Sequence, residues 1–286
     1  MPNLRDIKRR IASIQKTQQI TRAMRMVAAA KLRRAQEAIA AARPYADRMR
    51  STLMEVAASS PDAENPLLQS RDSVKSLEVV VITSDRGLAG AFNSNVSKEA
   101  DQLLREREVD EIHLTLLGRK AADYYRRRRG GQIAHEERVG TSVEYAAAAG
   151  IAQRLASRFV AGEVDEVVLV YNEFVSTLTQ RPKRVGLLPI AVPENQSEDA
   201  PLPYSIEPSA EQLLAILVPK AIEVEIFRAL LENQAGEHAA RMTAMENATR
   251  NTEELVDTLT LDYNRARQAA ITKELVEIVT GAQALE

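Results

Sequence analysis

The sequence predicts a mixed α/β protein: a long antiparallel coiled coil of N- and C-terminal helices, with an inserted α/β domain. Three observations lead to this prediction: an apolar seam at each end of the chain, alternating strand and helix patterns between the seams, and opposite net charges on the two ends. The expected segments are residues 1–57 for the first helix, 77–192 for the α/β domain and 209–286 for the last helix.

The last helix is the longest element that the sequence predicts. Residues 209–285 contain one proline and two glycines, and a stretch with so few helix breakers indicates a single helix. Counted in alternating steps of three and four residues, thirteen of seventeen seam positions from Leu214 to Ala270 are apolar, which is typical of a coiled coil. Ser209 is the expected N-cap, with Gln212 at the capping-box position.

The first helix has a matching seam with one interruption. Thirteen of sixteen seam positions from Leu4 to Val56 are apolar, and the three polar positions, Gln18, Thr21 and Arg25, are consecutive. Across this gap the apolar side chains move to Ile20, Met24 and Val27. Two interpretations remain open: a local change of supercoil, or a segment that turns apolar surface toward something other than its helix partner.

The two ends carry opposite charge. Residues 1–57 contain 13 Lys and Arg against 4 Asp and Glu, a net charge of +9, whereas residues 209–286 contain 7 against 13, a net charge of −6. Opposite charges suit antiparallel pairing, and they also leave a basic face for an acidic partner. An alternative hypothesis is therefore a coiled-coil scaffold, or a nucleic-acid-binding protein that uses the basic N-terminal helix.

The middle of the chain alternates between strand and helix patterns. Strands are predicted at Leu77–Thr83, Ile112–Leu117, Val167–Phe174 and Arg184–Ala191. Helices are predicted up to about Glu106, over Arg119–Arg129 and over Thr141–Ala161, the last with a capping box of Thr141 and Glu144. This order predicts a Rossmann-like domain with a mainly parallel sheet.

The sequence offers little chemistry. It has no Cys and three scattered His, so neither a thiolate nor a metal site is predicted. The turn Ser84–Asn93 follows a strand and precedes a helix, as a phosphate loop would, but it lacks Gly-x-Gly-x-x-Gly and favours a structural turn. We therefore predict no catalytic residue and no cofactor, and we retain a small nucleotide-binding enzyme as a further alternative.

Neither a membrane span nor a targeting segment is expected. No apolar run approaches 18 residues, and the first residues lack the apolar region of a signal peptide. These observations predict a protein that is made and used inside a cell.

Four motifs carry a resemblance to a known family. They are Ile20–Leu32, Ser84–Gly90, Glu237–Met245 and Tyr263–Leu275, and together they resemble gamma subunits of F-type ATP synthases, in the family's order and over the whole chain. The resemblance implies a non-catalytic rotor subunit. Its partners would be the alpha and beta subunits, the epsilon subunit and the c ring, with no nucleic acid. It would couple proton flow to ATP synthesis or hydrolysis, at the cytoplasmic face of the bacterial inner membrane, held there peripherally through partners only.

The resemblance also implies roles for particular residues. Those that would contact the beta subunits are Met24, Arg25, Arg241, Arg265, Arg267, Gln268 and Thr272. Those at a bearing tip would be Val276, Val279 and Leu285, because the last turns are apolar on nearly every side. Tyr204 and Glu207 would belong to a foot on the c ring and epsilon subunit. Two departures from the family lie in the last helix: Gly236 at a position that is often Ser, and Pro219.

Overall fold

The computed structural model describes residues 4–59, 65–71, 73–191, 206–207 and 209–283. The chain divides into two compact units, one formed by residues 1–28 with 242–286 and the other by residues 29–241. Each terminal helix contributes residues to both units. The first unit is called here the helical-pair unit and the second the sheet unit.

The elements follow one another along the chain with bounds close to those that the sequence predicts. The helices are α1 (Leu4–Ala58), α2 (Phe92–Glu106), α3 (Arg119–Arg129), α4 (Tyr145–Val160) and α5 (Ala210–Gln283). The strands are β1 (Ser76–Ile82), β2 (Glu111–Leu117), β3 (Ile133–Glu137), β4 (Glu166–Phe174) and β5 (Gln180–Leu188). The predicted fold class is confirmed.

The sheet unit is built on a five-stranded sheet in the order β3-β2-β1-β4-β5. The first four strands are parallel and β5 is antiparallel to β4. One face packs against α4 and parts of α1 and α5, and the other face packs against α2 and α3. Strand β1 is buried at every position, as its apolar run requires between two helical layers.

The predicted seams are the protected faces of both long helices. Within the helical-pair unit, Ile7 and Met245 are buried, and within the sheet unit so are Leu32, Leu53 and Leu231. Ser209 caps α5, because its Oγ accepts a hydrogen bond from the backbone N–H of Gln212 at 3.2 Å. Pro44 and Pro219 lie inside helices that continue through them.

Two local predictions are wrong, and one strand was missed. Helix α4 begins at Tyr145 instead of Thr141, and no side chain caps it, so the Thr141–Glu144 capping box does not form. Strand β5 begins four residues before the predicted Arg184, because the hairpin with β4 extends to the pair Phe174–Gln180. Strand β3 was not predicted at all.

Candidate functional site

The crevice at the carboxyl ends of β1 and β4 is the expected ligand site of this sheet. In parallel sheets of this topology the strand order reverses there, and ligands bind in the crevice that results. In the sheet unit α5 covers this position, because Asn233 donates a side-chain hydrogen bond to the carbonyl of Thr83 at 3.2 Å. Asn172 donates to the carbonyl of Phe92 at 3.0 Å. The crevice is therefore filled by the chain's own side chains.

The turn after β1 begins at Ser84, whose polar groups make hydrogen bonds within the turn. The backbone N–H and the hydroxyl of Ser84 both donate to Oδ1 of Asn93, at 2.9 and 3.0 Å. A phosphate loop would instead point free N–H groups at an anion. The hydrogen bonds of Ser84 favour the structural turn over the phosphate loop at Ser84–Asn93.

Gly236 permits the close packing of α5 over this crevice. A Cβ atom at this position would lie 2.9 Å from Cε2 of Phe92 and 3.4 Å from Cγ of Gln180. Phe92 is 4% exposed, so its ring has little room to move away. Glycine destabilises the helix by about 1 kcal/mol relative to alanine. The close contact with Phe92 explains why glycine occurs at this position, because no larger side chain fits there.

We expect Gly236→Ala to lower the free energy of unfolding of the sheet unit by about 1 kcal/mol or more, because overpacking outweighs the gain in helix propensity. Chemical denaturation of the full chain measures this change. The matched control is Gly150→Ala in α4, where an added Cβ meets nothing within 4 Å and should stabilise by about 0.5–1 kcal/mol. Equal effects of the two substitutions would contradict the packing argument.

The helical-pair unit keeps its seam in register through the polar gap. The hydroxyl groups of Thr21 and Thr249 lie 2.8 Å apart and are buried, so a hydrogen-bonded pair replaces an apolar layer. Ile20 and Val27 are 59% and 56% exposed. The displaced apolar side chains therefore face away from the helix partner, which supports the second of the two interpretations of this segment.

Met24 and Arg25 lie beside this exposed apolar surface. Met24 is half-buried. Arg25 makes an ion pair with Glu246 at 3.3 Å, with 40% of its side chain and 47% of that of Glu246 still exposed. An exposed pair of this kind stabilises by less than about 1 kcal/mol, so Arg25 can exchange this partner for another at small cost.

The described C-terminal part of α5 is exposed. Every residue from Ile271 to Thr280 is exposed, and Val276 and Val279 are 58% and 55% exposed. The predicted contact residues Arg265, Arg267, Gln268 and Thr272 are exposed as well. Leu261 and Ile271 are also exposed, at 59% and 50%, although the sequence analysis assigns them no role. Both are large apolar residues that lie off the seam, and this pattern could have identified them.

Arg241 lies in a different unit from the other predicted contact residues. Its side chain is 12% exposed, and its guanidinium pairs with Glu237 at 2.6 Å and donates to the carbonyl of Gly87 at 3.2 Å. Glu207 is exposed, whereas Tyr204 and Leu285 lie outside the described residues. Arg241 is therefore an internal contact of the sheet unit, whereas Met24 and Arg25 lie on α1 and Arg265, Arg267, Gln268 and Thr272 lie on α5.

The described part of the chain contains neither a candidate metal site nor a candidate membrane-spanning helix. No group of three His, Asp or Glu side chains there could hold a metal ion. No described helix combines the length and apolar character that crossing a membrane would take.

The comparisons with known proteins agree over the whole chain. The family model described as ATP synthase matches residues 3–285. Relatives named ATP synthase gamma chain include those of Desulforamulus reducens, 50% identical over 286 residues, and Pelotomaculum thermopropionicum, 51% identical over 287 residues. Each alignment covers 100% of this chain and 100% of the relative.

Solved structures agree as well. A chain from the central stalk and c ring of Tetrahymena thermophila mitochondrial ATP synthase has a TM-score of 0.65 at 29% identity, over 80% of this chain and 99% of that one. A chain from a Euglena gracilis mitochondrial ATP synthase structure of OSCP, F1 and c ring has a TM-score of 0.69 at 18% identity, over 99% and 94%. The second likeness shows the fold alone.

The crevice of the sheet unit is filled, and the long helices expose apolar side chains. These features are typical of a protein that works by contact with other proteins. The sequence relatives and the family model then make the assignment specific. The chain belongs to the ATP synthase gamma chain family.

Proposed function

We propose that this chain is the rotor of the central stalk of an F-type ATP synthase and carries no catalytic site itself. The observation that carries the proposal is the uncovered part of α5, where every residue from Ile271 to Thr280 is exposed although five of the ten are Ile, Leu or Val. A run of exposed apolar side chains like this one is typical of a surface that another protein encloses. The filled crevice of the sheet unit supports the absence of chemistry in the chain.

The mechanism follows from symmetry. Three alpha and three beta subunits would surround one shaft, and a single chain cannot present the same face to three equivalent subunits. Each beta subunit would therefore meet different side chains, and the differential contacts would shift its conformational equilibrium. Turning the shaft changes which beta subunit is favoured, so rotation driven by the c ring is coupled to ATP synthesis or hydrolysis.

The beta contacts are proposed on two surfaces of the helical-pair unit. Met24 and Arg25 sit beside the exposed Ile20 and Val27, where a basic helix can meet an acidic partner. The second surface is on α5, at Arg265, Arg267, Gln268 and Thr272, followed by Val276 and Val279 of a bearing tip, to which the sequence also assigns Leu285. Arg241 belongs to the proposal on the strength of its motif, although its ion pair with Glu237 must then persist or exchange on contact.

A foot that includes Tyr204 and Glu207 would bind the epsilon subunit and the c ring. The chain would thus be held at the cytoplasmic face of the bacterial plasma membrane through its partners. Its net charge of −2 and its basic N-terminal helix, with a net charge of +9, fit a role among oppositely charged protein surfaces.

The native mass of the complex that co-purifies with a tagged copy from solubilised membranes tests this function. We expect one copy of this chain with three copies each of two nucleotide-binding subunits. A free monomer or a simple homodimer, under conditions that preserve other membrane complexes, would overturn the proposal. Salt-sensitive retention of nucleic acid by the purified chain would favour the alternative use of the basic helix.

A further inference from the structure

A polar cleft separate from the filled crevice lies in the sheet unit, with a volume of about 310 Å³. Its walls come from the ends of three parallel strands: Arg86 follows β1, Arg119 follows β2 and Arg138 follows β3. Lys31 of α1 and Arg241 of α5 complete the cationic lining. The carboxyl ends of parallel strands are where ligand sites of α/β sheets occur.

The lining of the cleft carries more positive than negative charge. It holds two carboxylates, Asp85 and Glu237, against five Lys and Arg, and Arg119 makes an ion pair at 3.5 Å with Asp123 outside the lining. Asp85 accepts two backbone hydrogen bonds, from the N–H of Arg119 at 2.9 Å and from that of Gly140 at 3.0 Å. Glu237 pairs with Arg241. Among the described side chains, none makes an ion pair with Lys31, Arg86 or Arg138.

A buried histidine also belongs to the lining of the cleft. His238 is 7% exposed, and its Nδ1 has no hydrogen-bond partner among the described residues. Burial lowers the pKa of His238 to about 4, so the imidazole is neutral at pH 7. The imidazole therefore adds no positive charge to the cleft, and its resonances can report on a bound anion.

We propose that this cleft binds a small polyanion that carries two or more phosphate groups. Arginine forks and a lysine ammonium are the side chains that recognise phosphate oxygens best. The three cations without an ion pair, Lys31, Arg86 and Arg138, match such an ion, and roughly 30 Å³ per water leaves space for it together with several ordered waters. A nucleotide would be recognised by its phosphates alone, because the neighbouring crevice is filled.

The proposal is tested with the purified full chain and three probes: pyrophosphate, ATP and citrate. Calorimetry at low salt should show one site for pyrophosphate and ATP with affinities within about threefold of each other, and weaker binding of citrate. Imidazole resonances provide the readout at the site, since the sequence has only three His, and His238→Gln assigns the relevant signal. We expect pyrophosphate to shift the His238 resonances and to leave those of His113 and His135 unchanged.

Two variants locate the site. Lys31→Gln and Arg138→Gln should each weaken pyrophosphate binding about tenfold, the usual effect of losing one charged hydrogen bond to a ligand. Arg127→Gln is the matched control, because Arg127 is exposed in the four-arginine run of α3, outside the cleft. Absence of binding, unshifted His238 resonances, or a larger effect of Arg127→Gln than of Arg138→Gln would each overturn the proposal. Binding of ATP at least tenfold tighter than pyrophosphate would do so too, since it would mean that a nucleoside is recognised.

Discussion

Gly118→Ala is expected to destabilise the sheet unit by at least about 3 kcal/mol. Gly118 joins β2 to α3 with φ at +100°, a backbone conformation that side chains other than glycine rarely adopt. A Cβ atom there would lie 2.5 Å from the carbonyl oxygen of Thr83 and 2.8 Å from its carbonyl carbon. Both the strain and the clash act against the folded state.

The neighbouring backbone cannot shift to relieve this clash. The N–H of Thr83 donates to the carbonyl of Leu117 at 2.8 Å, and the N–H of Gly118 donates to that of Glu137 at 2.8 Å. The hydroxyl of Thr83 accepts from the N–H of Ala121 at 2.8 Å. Moving either segment would break hydrogen bonds between buried groups, which is why the expected cost exceeds that of an ordinary glycine substitution.

Thermal or urea unfolding of the full chain measures the effect of Gly118→Ala. The matched control is Gly130→Ala at the end of α3, where φ is −53° and an added Cβ meets nothing within 4 Å. That control should be neutral or slightly stabilising, because alanine restricts the unfolded chain without straining the folded one. A loss of less than about 1 kcal/mol in Gly118→Ala would show that the turn can rearrange.

The long-range pattern of this chain could be predicted because each seam repeats many times. Leu53, Leu231 and Ile7 were assigned to buried positions from periodicity alone, and all three are buried. Strand β3 escaped prediction because its five residues, from Ile133 to Glu137, contain one large apolar side chain and lie at the edge of the sheet. A half-exposed edge strand carries too little alternation for a pattern to detect.

The start of α4 shows a different failure. Thr141 and Glu144 have the spacing of a capping box, but the chain continues to Tyr145 before the helix begins. The N–H of Gly140 donates to Asp85, and the carbonyl of Thr141 accepts from the side chain of Gln234. These tertiary hydrogen bonds compete with local capping, and nothing in a local window of sequence can show them.

The candidate site was predictable only in part. The displacement of apolar residues to Ile20 and Val27 could be seen in the sequence, but their exposure and the pairing of Thr21 with Thr249 could not. The cationic cleft could not be seen, since Arg86 and Arg138 are 52 positions apart and meet only through the sheet. Charged residues scattered along a chain carry no periodic signal.

The double substitution Arg267→Ala with Gln268→Ala is expected to lower the ATPase rate of the assembled complex about tenfold, which corresponds to roughly 1.4 kcal/mol of transition-state stabilisation. This expectation rests on the proposed function. Both residues are exposed on α5, so their side chains are available to a partner and contribute little to the folded chain alone. Loss of charged hydrogen bonds to the beta subunits would weaken the coupling between shaft position and beta conformation.

The experiment separates a contact role from a structural one by measuring three quantities. The unfolding free energy of the isolated chain should change by less than about 0.5 kcal/mol, the complex should assemble with unchanged stoichiometry, and only the rate should fall. Arg250→Ala is the matched control, because Arg250 is also exposed on α5 within the helical-pair unit but lies outside the Tyr263–Leu275 motif. A normal rate in the double variant would remove these residues from the contact surface. Equal losses in the double variant and in Arg250→Ala would indicate that rotation depends on the general charge of α5 rather than on a specific contact, because the same charge would then have been removed at a site without the motif.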